Sequence, residues 1–507
     1  MFKRIIVFLS SPGAKGAIED AAPTQYILSN SVASEEGKAV LSNEQEQVTP
    51  TRNITGYVDR AKKDRLDRWL DRVVKASGSQ PIFFIMISGL LIWAFLGIRY
   101  GQSDNWAAII SDVQAIISYF FDSLLMRQQL NGYERQVRIS ASLMSRVQSQ
   151  KRMLRHVLAS NRYKKPSFPE IESSQSDKFD LNLPPEDWIS RVSNLIAMVL
   201  GHSGTICIYW ICIFIWLGFG QYCNWSDRWQ LYINSGTSAL MILIFTFLAN
   251  IRERHDEYVE KCMNSIFKVD SDVELKLRIL SGDTQPNPIV VVPAPHLGTF
   301  QRIIFYYADV VGTLVGIALL VIVLIVWACI GPVMHWDNNW WLFIGTYAGL
   351  IGLIDGFVLR NVQHRLHQYE RLALEETKLE DAGLSDEIGV PVPEKTKVDY
   401  SINYRLSDKM GFICAHELTV ILGIMLVIGL VIGASAMRWT LTGQLICNIP
   451  PSIIESFFMM ILITGHNISE AGWRANLHHM YLWRLRLFGF VDRLADEAGD
   501  RSDIQEH

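Results

Sequence analysis

The sequence predicts an all-α polytopic membrane protein with eight transmembrane helices, built as four parallel two-helix hairpin repeats with cytosolic amphipathic helices. Three observations carry that prediction. Eight apolar runs each approach the ~20 residues that a helix needs to cross a bilayer. The runs pair through connections of a few residues, whereas long polar segments separate the pairs. Basic residues crowd on one side of the pairs only. Composition agrees: of 507 residues 49% are hydrophobic and 19% charged, which suits membrane spans joined to soluble segments. A net charge of -4 gives no sign of nucleic-acid binding.

The runs lie near 80–99, 107–127, 197–220, 230–250, 309–331, 341–360, 412–437 and 442–464. Grouping them gives a cytosolic tail over 1–57, hairpin repeats over 58–165, 166–280, 281–380 and 381–498, and a short tail over 499–507. The basic start MFKRIIVFLSSPG has an apolar core too short for a signal peptide. The tight connections hold only Arg99, Arg228 and Arg438, while Arg60, Lys62, Lys63, Arg65, Arg68, Arg72 and Lys75 precede the first run. Both termini and all long loops are therefore expected in the cytosol. Polar tracts around 10–55, 164–187, 280–300 and 380–400 read as mobile linkers, and charged stretches such as 128–162 and 252–280 as solvated helices. The seven cysteines, six of them in or beside apolar runs, argue against a disulfide framework.

A repeat emerges when the hairpins are aligned. Gly78 to Trp106, Gly201 to Trp229, Gly312 to Trp340 and Gly411 to Trp439 all span 28 residues, and three copies share the pattern Wx3Gx8W. Sixteen residues beyond the tryptophan stand Asp122, Phe245 and Glu455; in the third copy Asp355 is fifteen beyond. Three carboxylates are thus expected at nearly one depth, at ~2.5 to 3.5 kcal/mol each on insertion scales. A polar face leads to them, with Ser111, Ser118, Asn234, Ser238, Gln444 and Asn448, and Asp112 nearer the mouth. Pro450 and Pro451 precede Glu455 and would free backbone carbonyls beside it.

Asp122, Asp355, Glu455, Asp112, Asn234 and Asn448 are the candidate metal ligands, because hard oxygen donors suit divalent cations. Asp122 and Asp355 could instead pair with Arg127 and Arg360, five residues on. His416 and Glu417 could receive a departing ion or form a helix-end charge pair. His364, His367, His478 and His479 lack cysteine partners at zinc spacing and read as surface residues. No Walker loop, HExxH or nucleotide fingerprint occurs, so neither an enzyme nor a cofactor is expected.

The second hairpin carries Ser226, Asp227, Trp229, Gln230, Leu231, Ile233 and Asn234, followed by Thr246, Phe247, Leu248 and Asn250. It resembles the SDxWQLxIN and TFL signature of the low-affinity iron(II) permease family, and FLSSPG resembles the N-terminus of fungal members. The resemblance implies plasma-membrane uptake of ferrous iron, with copper, zinc and manganese poorly excluded. The expected partners are then divalent metal ions, as substrates, and the lipid bilayer, with homo-oligomerisation left open. A proton or monovalent-cation channel, or a membrane scaffold with structural acids, is the alternative.

Overall fold

The computed structural model describes residues 13, 15–27, 53–59, 65–159, 166, 170–171, 178–336, 338–394 and 402–505. The first twelve residues, with the basic start, lie outside the described residues. One succession of elements recurs along the chain. A 13-residue helix comes first: α1 Arg65–Ser77, α4 Trp188–Leu200, α7 Thr299–Val311 or α10 Ile402–Cys414. An apolar helix follows, α2 Gln80–Tyr100, α5 Ser203–Phe219, α8 Leu314–Ile330 or α11 Glu417–Ala436. A tight turn then leads into a long helix of 51 to 57 residues: α3 Asp104–Ala159, α6 Asp227–Ser281, α9 Asn338–Ile388, or α13 Ile449–Gln505, which a short α12 Leu441–Ile446 precedes. At 1.5 Å per residue the long helices reach roughly 75 to 85 Å, well beyond a bilayer.

The protein is an all-α, multi-pass membrane protein. Among the described residues six helical segments are long and apolar enough to cross a membrane alone, and the number rises to eight if each bent pair, α4 with α5 (51°) and α7 with α8 (63°), crosses once. The four long helices form the centre as a closed ring, with α3 against α6, α6 against α13, α13 against α9 and α9 against α3. Each apolar helix packs on the long helix of the next unit. Phe83 of α2 meets Phe247 of α6, Trp210 of α5 meets Phe457 of α13, Gly423 of α11 seats Phe357 of α9, and Leu314 of α8 packs by Leu124 of α3. The circle closes, so no unit is complete without its neighbour.

Glycine sets the bend before each apolar helix in three units. A Cβ on Gly78 would stand 2.6 Å from the Ala249 carbonyl, and one on Gly312 3.1 Å from the Arg127 amide, so the bend touches the neighbouring long helix directly. On the other side of the membrane, the paired tryptophans of the sequence pattern clasp the turn. Trp93 stacks on Trp106 at 4.4 Å, Trp216 on Trp229 at 3.9 Å and Trp327 on Trp340 at 4.1 Å. In the first and third pairs each indole N–H donates to the other residue's carbonyl.

The fourth unit departs from the sequence alignment by one helical turn. Its bend falls at Ala415, and Trp439, with φ of 53°, takes the left-handed turn position held by Trp225 and Trp336, not that of Trp229 and Trp340. Gly411 is small for a different reason: the Arg360 guanidinium lies on it and donates to its carbonyl. Glu455 is therefore level with Ser118, Met241 and Gly352, about 6 Å outward of Asp122.

The membrane-distal stretches of the long helices are not solvated, as the sequence suggested, but bury a second core around Leu143, Val147, Ile266, Leu384 and Phe488. Their charges pair inside it: Arg146 with Glu274 at 3.4 Å, and Arg484 with Asp270 at 3.0 Å and Asp381 at 2.6 Å. Charge spacing in the sequence cannot distinguish a solvated face from one that meets opposite charge on three other helices. The linkers are likewise tied down where described. Strand β1 Ile18–Asp20 pairs antiparallel with β2 Val290–Val292, and Arg278 donates to the carbonyls of Asp283 and Gln285. Helix α9 runs beyond the boundary expected at 380 and ends at Gly389, whose φ of 74° suits only glycine well. All seven cysteines are free.

Candidate metal pathway

A column of buried oxygen and nitrogen groups lines the half of the ring nearer the tryptophan turns, its outer half under the expected topology. At its mouth the Asn234 amide donates to Ser111 at 2.9 Å, and Asn448 lies across from Gly345. Deeper in, Ser238 donates to Gln114 at 3.3 Å, Gln114 donates to Ser118 at 3.1 Å, and Thr237 and Ser452 share a hydrogen bond of 3.1 Å. Asp112, half-buried, sits on the same helix about 15 Å outward of Asp122. Asn448 falls in the two-residue break between α12 and α13, just before Pro450 and Pro451. Neither proline has an N–H, so the carbonyls of Ile446 and Cys447 have no helical donor, and that of Cys447 faces Gly349.

The acids lie at the inner end of this column. Asp122, Asp355 and Glu455 are 0%, 2% and 1% exposed and close enough to interact electrostatically, Asp122 with both others and Glu455 with Asp355. Asp355 accepts a hydrogen bond of 2.7 Å from Tyr307. Both carboxylate oxygens of Asp122, and Oε1 of Glu455, have no hydrogen-bond partner among the described residues. The arginine pairing that the sequence allowed does not occur. Arg127 turns to Asp71 at 2.7 Å and Asp67 at 3.0 Å, and Arg360 to Gln363 and the Gly411 carbonyl. Among the described residues no three Asp, Glu, His or Cys side chains gather closely enough to hold one ion. The one-turn offset of Glu455 separates the acids along the axis, which makes them successive oxygen donors and not a closed cage.

Glycines on α9 make room for the fourth unit's donors. Gly345, Gly349 and Gly352 face Asn448, the Cys447 carbonyl and Glu455; a Cβ on Gly352 would lie 2.7 Å from the Glu455 carboxylate oxygens. Small residues at helical spacing signal close helix approach, yet the sequence analysis singled out none of these three glycines. It also missed Gln114, Thr237, Ser452 and Tyr307. Tyr307 lies on the short α7, which brings its hydroxyl to the acid from outside the ring.

Inward of the acids stand four leucines, Leu125, Leu248, Leu359 and Leu462, each 47 residues beyond its unit's bend at Gly78, Gly201, Gly312 or Ala415. All are fully buried in one apolar cluster. Beyond them is a polar chamber of about 60 Å³ with walls from all four long helices, including Gln128, Arg252, His255, His367, Glu370 and Glu470. Histidines here are not surface residues: His255 and His466 are buried, and His364 and His367 are partly so. Burial pushes the Glu370 carboxyl up to about 8, helped by Asp256. Burial alone would raise Glu470 too, but His255, His466 and Arg474 hold its carboxyl well below the usual range. His416 caps α11 by accepting from the Leu418 amide, and Glu417 makes a charge pair at the helix end, with Arg365 at 2.9 Å.

A ring of apolar helices around buried carboxylates that meet no basic side chain among the described residues is suited to passing cations. The sequence matches the model of low affinity iron permeases over 189–280, 300–390 and 403–480, each segment running from a 13-residue helix into its long helix. It is 35% identical over 496 residues to the low-affinity iron/zinc ion transport protein fet4 of Schizosaccharomyces pombe, covering 96% of this chain and 85% of that protein. It is also 34% identical over 555 residues to the low-affinity Fe(2+) transport protein of Saccharomyces cerevisiae, covering 98% of this chain and 99% of that one. The chain belongs to the low affinity iron permease family. No solved structure matches it.

Proposed function

We propose that this protein admits ferrous iron and zinc at low affinity through the centre of the four-helix ring, with copper and manganese as further substrates, into the cytosol across the plasma membrane. The names of its relatives support iron and zinc. In this reading the four units are parallel hairpins that make eight crossings, both termini are cytosolic, and Asp122, Asp355, Glu455, Asp112, Asn234 and Asn448 are the metal-contacting groups. The observation that carries it is the set of three acids buried without a cationic partner among the described residues. An unpaired buried carboxylate is costly unless a mobile cation or water satisfies it. Carboxylate, amide and carbonyl oxygens bind first-row divalent ions with little selectivity when no rigid geometry is imposed, so breadth and low affinity arise together. The membrane potential supplies about 4.6 kcal/mol per 100 mV to a divalent ion, using ~2.3 per charge, and no coupled fuel is required.

Purified protein in liposomes should accumulate ferrous iron when the interior is negative, with zinc as a competitor, and collapse of the potential should slow entry. Liposomes carrying folded protein but impermeable to both metals would overturn the assignment.

A further inference from the structure

An ion that has passed the leucines cannot continue along the ring axis, because the long helices remain packed below the chamber. Apolar side chains such as Val147, Ile266 and Leu384 fill that stretch, together with the buried pairs of Arg146 with Glu274 and Arg484 with Asp270. One side of the chamber is different. Gln128 and Gly132 of α3 and Asp256 of α6 line both the chamber and a much larger cavity of about 1460 Å³ beneath α1. Helix α1 leaves this opening because little of it is buried: it buries only Leu70 and Val74 and is otherwise tethered through Asp67 and Asp71 to Arg127, whereas α7, its counterpart two units on, buries Gln301, Ile304, Phe305 and Ala308.

The opening carries both signs of charge, with four basic side chains on α1 and three on α3, but its α6 wall is wholly acidic and suits a cation. Helix α6 presents Glu253, Asp256, Glu257 and Glu260 on one face at i, i+3, i+4 and i+7. Asp256 pairs with Arg135 at 2.5 Å and Glu253 with Lys75 at 3.8 Å, while Glu257 and Glu260 form no ion pair among the described residues. An independent feature lies in the chamber itself. Nδ1 of His255 and Nε2 of His466, on side chains 8% and 6% exposed, have no hydrogen-bond partner among the described residues and stand 3.7 and 3.8 Å from the Glu470 oxygens. Glu470 also pairs with Arg474, and among the described residues no three such side chains stand close enough to enclose an ion, so the two imidazole nitrogens offer a passing divalent metal single contacts and not a closed site.

We propose that metal leaves this protein sideways: from the chamber, past His255, His466 and Glu470, and out between α3 and α6 beneath α1 along the acidic face of α6. The proposal rests on the metal-permease reading above. It makes the first unit the exit and gives the asymmetry of the ring a purpose.

Gly132 allows a test, since a Cβ there meets nothing within 4 Å and the residue borders both cavities. Gly132→Cys protein labelled with a bulky maleimide and then placed in liposomes should take up ferrous iron at least tenfold more slowly than the unlabelled variant. Gly132→Trp should show the same loss without any label. Gly472→Cys on α13 has equally open space but borders neither cavity, and its labelled form should transport as wild type labelled alongside it. Normal flux through both Gly132→Trp and labelled Gly132→Cys, or equal loss on labelling Gly472→Cys, overturns the sideways exit. Absence of uptake by the unlabelled wild type instead defeats the metal-permease reading on which the exit depends.

Discussion

Glu455→Gln is expected to cut ferrous iron uptake at least tenfold while leaving the protein as stable as the parent, or more so. The carboxylate is buried with Oε1 unpartnered, and it lies over Gly352, where the α9 backbone offers no side chain to share its charge. Glutamine keeps the shape and removes a buried charge whose cost is several kcal/mol, so the apo protein should not suffer. A dehydrated divalent cation, by contrast, would lose one of the three carboxylates of the buried cluster. Tenfold corresponds to ~1.4 kcal/mol, a small part of a carboxylate's interaction with a divalent ion at low dielectric. Flux into liposomes and thermal melting in detergent check the two halves together. Loss of folding with the loss of flux would indicate that the acid glues the helices together; unchanged flux would remove Glu455 from the pathway.

Leu462→Asn is expected to act in the opposite direction, raising metal entry several-fold and weakening discrimination among divalent ions. Leu462 shares its register position with Leu125, Leu248 and Leu359, and the four close the ring between the acids and the inner chamber. Apolar constrictions impede ions by excluding water. One amide among three leucines would let water bridge the two polar regions, at a stability cost of ~1 to 3 kcal/mol for a buried polar group incompletely satisfied. The check is initial uptake rate at matched amounts of folded protein. A reduced rate at normal stability would show that the leucines merely pack and do not obstruct passage.

Much of this architecture was legible in the sequence because a bilayer imposes length and apolarity on every crossing. The acids Asp122, Asp355 and Glu455 stood out for the same reason, and Asn234 and Asn448 through their helical spacing from one another's levels. The fourth unit was misaligned by a turn because two unrelated close approaches both select glycine. At Gly312 it is a backbone, at Gly411 the guanidinium of Arg360. The leucine ring depends on that register and disappears without it. The packing of each apolar helix on its neighbour's long helix involves residues far apart in sequence, more than a hundred positions in three of the four cases, and local pattern carries no information about it. The membrane-distal charges misled for a related reason, since Arg484 looks solvated until Asp270 and Asp381 arrive from two other helices. His255 and His466 drew no attention in the sequence; His466 stands one turn before Glu470 on α13, and only the ring brings His255 of α6 to the same carboxylate.

The account's central claim is that metal travels inside the ring of long helices and meets the acids on the way. Diffraction from crystals of this protein grown with zinc tests it most directly, through the anomalous signal of the metal. The account predicts a peak within bonding distance of Glu455, Asp355 or Asp122, enclosed by α3, α6, α9 and α13. Peaks confined to the outer surface of the bundle, with the carboxylates empty at zinc concentrations that saturate transport, would contradict it.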